Sequence, residues 1–297
     1  MACTIYPITN DIIFKSIFGR EAHTPILIPM MNAVLGYSPG ERITQADILT
    51  PFRFGEGVKS RSAVLDIHVK DGRGWRYNIE MQARYETGYL KRALFYLNGL
   101  YCGQLVQSDL FDTLQRTVGI SFVSFDIFPD TLGFHNRFRL KSLDKDFSLD
   151  IQELHMLELS KFHGKLVESL TTPLEKWLHV LKFSLKYAKI TTEIPAVLKE
   201  EEGIDMAIRA YRKTLADPDV QYMMHLREKA EHIEAGRLAD AMKEGLAKGR
   251  TEGRTEGKVE GEIEKARNIA RKLLLKGMER EEVKSITGLS DGEMEEV

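Results

Sequence analysis

Two carboxylates stand on neighbouring strand-like segments in the first third of the chain, and their chemistry suits a hard divalent cation. They are Asp66 and Glu80, in the stretch LDIHVKDGRGWRYNIEMQ that runs from residue 65 to 82. Leu65, Ile67 and Val69 alternate with Val64, Asp66 and His68, while Tyr77, Ile79 and Met81 alternate with Asn78, Glu80 and Gln82. A period of two predicts a strand on each side of the Asp71-Gly72-Arg73-Gly74 turn cluster. With a three-residue loop, opposed residues sum to an even number and both carboxylates fall on one face; a two-residue loop separates them. The first arrangement agrees with Leu65, Ile67, Ile79 and Met81 sharing the core face. Mg²⁺ takes oxygen ligands, uses one or two carboxylates and keeps waters that can become nucleophiles. Phosphodiester hydrolysis needs what such an ion supplies: an activated water, neutralised phosphate oxygens and a stabilised leaving oxygen. A plainer alternative, two solvated carboxylates on an amphipathic hairpin, fits the periodicity at least as well.

The elements that must position this hairpin can be read from the same patterns. Residues 8 to 36 predict two helices: Ile12, Ile13, Ile17 and Phe18 recur at helical spacing up to Gly19, and PILIPMMNAVL runs to a stop at Gly36. Asp11 begins the first helix, where a carboxylate favours the helix dipole. Strands are expected over 48–54, 62–70 and 75–83, then an aromatic-rich helix over about 88–105. TVGISFVSF, from Thr117, is a continuous apolar strand of the kind found inside a sheet. Segments 138–140 and 149–157 are weaker strands. Beyond Lys161 the pattern is helical, with Thr172 as N-cap and Pro173 at the first helical position. Gly245, Gly249, Gly253, Gly257 and Gly261 recur every fourth residue among Lys, Arg and Glu. Each weakens a helix by about 1 kcal/mol relative to alanine, so a charged linker and a helix that orders on self-association both fit. The last segment, 269–297, predicts two small helices around Thr287-Gly288.

Composition sets bounds. The chain has 297 residues, 43% hydrophobic and 29% charged, with a net charge of −2. This is the balance of a globular protein, and any nucleic-acid surface must be a local patch. Cys3 and Cys102 form no metal-ligand pair or disulfide framework. No apolar run approaches the ~20 residues that cross a bilayer, and the N-terminus lacks signal-peptide character. A cytoplasmic protein with no membrane association is expected.

Several segments together resemble the PD-(D/E)XK nuclease family transposases, the Rpn or recombination-promoting nuclease group. They are TNDIIFKSIFG (9–19), MNAVLG (31–36), LDIHVKD followed by YNIEMQ, KRALFYLNGLY (91–101), EKWLHVLKF (175–183) and the glycine-spaced tail. The resemblance implies an α+β or α/β restriction-endonuclease-like core, a mixed central sheet flanked by helices, followed by an all-helical C-terminal region. It makes Asp66 the motif aspartate and Glu80-Met81-Gln82 the (D/E)-x-K element, with Gln82 in place of lysine. A neutral amide can orient a water or a phosphate oxygen only by hydrogen bonds, so catalytic rate is in question more than metal binding. Lys15 or Lys91 is a candidate for the missing positive charge.

By the same resemblance Asp11 is a further candidate metal ligand. Arg92 and Tyr96, spaced i, i+4 on one helix face, match a basic-aromatic pair that would contact phosphate or brace Glu80. Arg61 and Lys59 are candidates for the DNA backbone. His68 shares a strand face with Asp66 and is a weak candidate. The implied function is a Mg²⁺- or Mn²⁺-dependent DNA endonuclease, acting on duplex DNA in recombination, mobile elements or defence. The competing reading is a catalytically weak nuclease-fold module for DNA binding or oligomerisation; RNA cleavage would use the same metal chemistry. The expected organisation is a nuclease-like domain over 1–160, a helical region over 161–240, a glycine-spaced helix or linker over 241–268, and a small helix-turn-helix-like module over 269–297. A homo-oligomer through the C-terminal helices is expected.

Overall fold

The computed structural model describes residues 5–49, 67–106, 109–163 and 166–297. It divides into two compact units, 1–227 and 228–297. In the first, α1 (Asp11–Phe18) starts at Asn10, whose side chain accepts hydrogen bonds from the amides of Ile12 and Ile13. The helix α2 (Thr24–Leu35) ends at Gly36 in a left-handed conformation. Then come β1 (Ala46–Ile48), β2 (Ile67–Asp71), β3 (Arg76–Gln82), α3 (Tyr89–Cys102), β4 (Thr117–Val123), β5 (His135–Lys141) and β6 (Ser148–Glu158). The helices α4 (Pro173–Lys182), α5 (Ala196–Lys199) and α6 (Ile204–Ala216) follow, and α7 spans Pro218–Leu275.

Among the described residues six strands form one sheet in the order β1-β2-β3-β4-β6-β5. The pairs β3–β4 and β4–β6 are parallel and the others antiparallel. The fold is therefore α+β, a mixed sheet with helices on both faces. The strand β4 is buried along its whole length, as its unbroken apolar run predicts. The two weaker strand segments are β5 and β6, both longer than their sequence signal.

The two faces of the sheet carry different cores. On one, Tyr77, Ile79, Met81, Val118, Ile120 and Phe122 pack with α1, α2, α4 and α6. Phe14 meets Phe122 with ring centroids 5.9 Å apart, and Phe18 meets Trp177 at 6.2 Å. On the other face, Tyr89, Ala93 and Leu97 of α3 pack with Val123, Leu154 and Met156. The helix α4 is secured by a capping box in which the Thr172 side chain and Glu175 satisfy each other's backbone amides.

A buried aspartate holds the β2–β3 turn. Asp71 Oδ1 accepts from the amides of Arg73 (2.9 Å) and Trp75 (3.0 Å), and Oδ2 accepts from the Tyr77 hydroxyl (3.0 Å). Gly74 closes the turn at φ 89°, a left-handed conformation natural to glycine. The loop is thus Gly72-Arg73-Gly74, and Ile67 pairs with Ile79, His68 with Asn78, Val69 with Tyr77. Opposed residues sum to an even number, the arrangement that the shared apolar face favoured. Asp66 itself, with Lys59, Arg61, Leu65 and the expected strand residues 50–54, lies outside the described residues.

In the second unit, the glycine-spaced segment is helical within α7, and beyond the neighbouring residues and backbone of the helix itself no described atom lies within 4 Å of a Cβ built on Gly245, Gly249, Gly253, Gly257 or Gly261. Helices α8 (Arg280–Thr287) and α9 (Asp291–Glu295) flank Gly288. They enclose a small core of Ala270, Val283, Leu289 and Met294. Arg267 pairs with Glu296 and Lys284 with Asp291.

Candidate active site on the central hairpin

Because β3 is interior to the sheet, its polar alternation points at α3 instead of at water. Asn78, Glu80 and Gln82 share that face, and Glu80 is only 5% exposed. A buried carboxylate is costly unless it is paired and hydrogen-bonded. Arg92 meets that need from α3: its Nη2 donates to Glu80 Oε1 at 2.9 Å and to Gln82 Oε1 at 3.0 Å. The Tyr89 hydroxyl donates to Glu80 Oε2 at 3.3 Å. Burial raises the Tyr89 pKa, and the charge of Glu80 raises it further, so the phenol stays protonated and can donate.

The loop between β3 and α3 completes the arrangement. Gln82 Nε2 donates to the Arg84 carbonyl at 3.0 Å and to Glu86 Oε1 at 3.1 Å. The other oxygen of Glu86 accepts from Arg92 Nη1. Gly88, left-handed at φ 82°, turns the chain into α3, which sets Tyr89 and Arg92 one turn apart above Glu80. Arg92 is thus a cation beside Glu80 and Gln82, while Lys91 is exposed. Tyr96 is half-buried against Phe95, with ring centroids 5.9 Å apart.

The other sequence-derived candidates are distributed more widely. Asp11 pairs with Arg227 Nη2 at 3.0 Å and accepts from the Ile12 amide at 2.9 Å. Lys15 is nearly buried on α1. His68 lies opposite Asn78, and its pKa is lowered by burial first and by the charge of Lys15 second, against a hydrogen bond with Asn78. It is therefore neutral at ordinary pH. Tyr89 is buried and hydrogen-bonds Glu80. Glu86 was not anticipated, since a lone glutamate in an exposed loop carries no periodic signal. Phe95 is 72% exposed, because α3 packs through Tyr89, Ala93 and Leu97.

Glu80 Oε1 and Gln82 Oε1 converge on one positively charged nitrogen. An all-oxygen pair of this kind fits Mg²⁺ or Mn²⁺, since Mg²⁺ keeps several waters and needs only one or two carboxylates. Among the described residues no three or more His, Cys, Asp or Glu side chains cluster as a metal site.

A mixed sheet between helical layers, carrying a buried Glu-x-Gln strand under a helix arginine, defines an α+β protein with a nuclease-type core. The family model described as PD-(D/E)XK nuclease family transposase matches residues 8–241, most of the chain, and the protein belongs to this family. Residues 264–297 match the C-terminal HTH domain of the Rpn/YhgA-like nuclease family. No curated protein and no solved structure matches the chain. Among the described residues no helix is long and apolar enough to cross a membrane.

Proposed function

We propose that this protein is a Mg²⁺- or Mn²⁺-dependent DNA endonuclease whose site is built on Asp66, Glu80 and Gln82. The observation that carries the reading is the convergence of Glu80 Oε1 and Gln82 Oε1 on the same position, held at present by Arg92 Nη2. Glu80 and Gln82 would hold the ion, with Asp66 as the second carboxylate. Support for Asp66 comes from the sequence alternation that puts it on the polar side of its segment and from the family's motif, together with the even register of the described hairpin residues, Ile67 opposite Ile79. The bound ion would supply Lewis acidity and a nucleophilic water.

Around it the chain's own groups have distinct tasks. Tyr89 fixes Glu80 through Oε2. Arg92 carries the positive charge that the superfamily's lysine would bring, and stands ready to meet a phosphate oxygen. Asp11 is proposed as an accessory metal ligand, and for that it must leave Arg227. Lys15, Tyr96 and Arg61 are proposed as supporting or backbone-contacting groups. The family's nuclease and HTH descriptions support DNA as the partner; duplex DNA is the proposed substrate, and recombination, mobile elements or defence the proposed setting, in the cytoplasm.

The test is cleavage of supercoiled plasmid, linear duplex, single-stranded DNA and RNA by the purified protein with Mg²⁺ or Mn²⁺. Nicking or cutting of DNA is expected, abolished by chelation, by Glu80→Gln and by Asp66→Asn. Cleavage that survives both substitutions overturns this site. One observation favours a second reading, a catalytically weak binding or oligomerisation module: Arg92 already neutralises Glu80. Metal-independent DNA binding or self-association without cleavage of any substrate would select it.

A further inference from the structure

The Glu86 carboxylate touches both side chains that flank Glu80, one through each oxygen. We propose that Glu86 is a positioning residue that sets which end of the Gln82 amide faces Glu80. This rests on the metal-site reading above and assigns a task to a loop residue outside the motif.

The two ends of a glutamine amide have nearly the same shape and opposite hydrogen-bonding character. At Gln82 the neighbours choose between them. The nitrogen faces the Arg84 carbonyl at 3.0 Å and the Glu86 carboxylate at 3.1 Å, which only accept. The oxygen faces Arg92 Nη2 at 3.0 Å, which only donates. Turning the amide over would set donor against donor once and acceptor against acceptor twice. The oxygen end of Gln82 is therefore the one beside Glu80 Oε1, and Gln82 serves as an oxygen ligand or acceptor. The role expected from sequence, orienting a water or a phosphate oxygen by hydrogen bonds, is narrowed by this proposal to the oxygen end of the amide.

Glu86 is the adjustable part of the arrangement. The Arg84 carbonyl belongs to the backbone and survives any side-chain change. The Glu86 carboxylate holds the second amide hydrogen of Gln82 and also Nη1 of Arg92, so its loss frees the amide and the guanidinium together. Its side chain is 56% exposed, so water competes for these bonds and the effect is modest.

A double-mutant cycle in the full-length chain tests the assignment, with Mn²⁺ alone as the probe, read by electron paramagnetic resonance without nucleic acid. Glu86→Ala should weaken Mn²⁺ binding about three- to tenfold. In the Gln82→Glu background the same change should have little effect, since a carboxylate has an oxygen at each end and nothing to orient. Equal weakening in both backgrounds, or none in either, overturns the proposal.

If wild-type protein shows no Mn²⁺ binding that Glu80→Gln removes, the metal reading fails by itself. The orientation is then read from the ¹⁵N resonances of the Gln82 side-chain amide in metal-free protein. Its protons should be protected from exchange in the wild type and exposed in Glu86→Ala; identical protection in both overturns the role of Glu86.

Discussion

Arg92→Met removes the guanidinium from a carboxylate whose side chain is 7% exposed, while keeping much of the apolar stem. Breaking a buried ion pair by deleting one partner costs about 3–5 kcal/mol, because the remaining charge stays out of water. Arg92 is itself 28% exposed, so water can reach that side, and Tyr89 still donates to Oε2. The expected loss is therefore about 2–3 kcal/mol. For a compact unit of this size each kcal/mol moves the midpoint by roughly 2–4 °C, which gives a drop of about 5–10 °C. Adding Glu80→Gln removes the stranded charge, so the double variant should recover part of that loss and be more stable than Arg92→Met alone. Thermal and urea unfolding, followed by circular dichroism and tryptophan fluorescence, measure both. A midpoint of Arg92→Met within 1 °C of wild type, or a double variant no more stable than the single one, would refute the idea that Arg92 compensates a buried charge.

Acid should weaken the fold in two windows. His135 is held near pKa 4 by burial first and then by His155 and Arg137, and His179 near 4 by burial and then Lys186, against 6.5 for free histidine. The unfolded chain therefore takes up protons that the folded chain refuses, and stability falls as pH drops from 6.5 to 4. At Glu153 burial raises the pKa, but hydrogen bonds from His155 and Arg139 outweigh it and hold the group near 2; that stability is present above 4.5 and lost as pH falls through 2. Urea midpoints across this range should decline, and a value constant from pH 7 to 4 would contradict the histidine assignments. Gly203→Ala should cost about 2 kcal/mol or more, since φ is +82° and the new Cβ would lie 3.1 Å from Pro29 and 3.2 Å from Trp177. An unchanged unfolding midpoint would show that the α5–α6 junction relaxes freely.

Much of this protein was legible from local pattern. The alternation in 65–82, the turn glycines, the capping residues Asn10 and Thr172 and the unbroken apolar run of β4 each describe a short-range preference that the fold keeps. Those signals also carried the family and the Glu-x-Gln element, because chemistry at fixed spacing along one strand survives in the linear sequence. They could not show that Glu80 is buried, since a period of two reports only that two faces differ. Burial followed when β4 and β6 extended the sheet beyond β3 and α3 covered its polar face. Whether Lys91 or Arg92 of α3 would face Glu80 was likewise not decided by the sequence. Only the turn of the chain at Gly88 puts the Arg92 side, and not the Lys91 side, of α3 toward the strand. Glu86 stayed invisible because its importance lies in two contacts made across a loop, whose geometry is set by the packing of α3. The sequence by itself determined which groups can do chemistry and on which strands they lie. The tertiary structure decided their burial, their charge partner and the direction of the Gln82 amide, because each depends on elements brought together from distant parts of the chain.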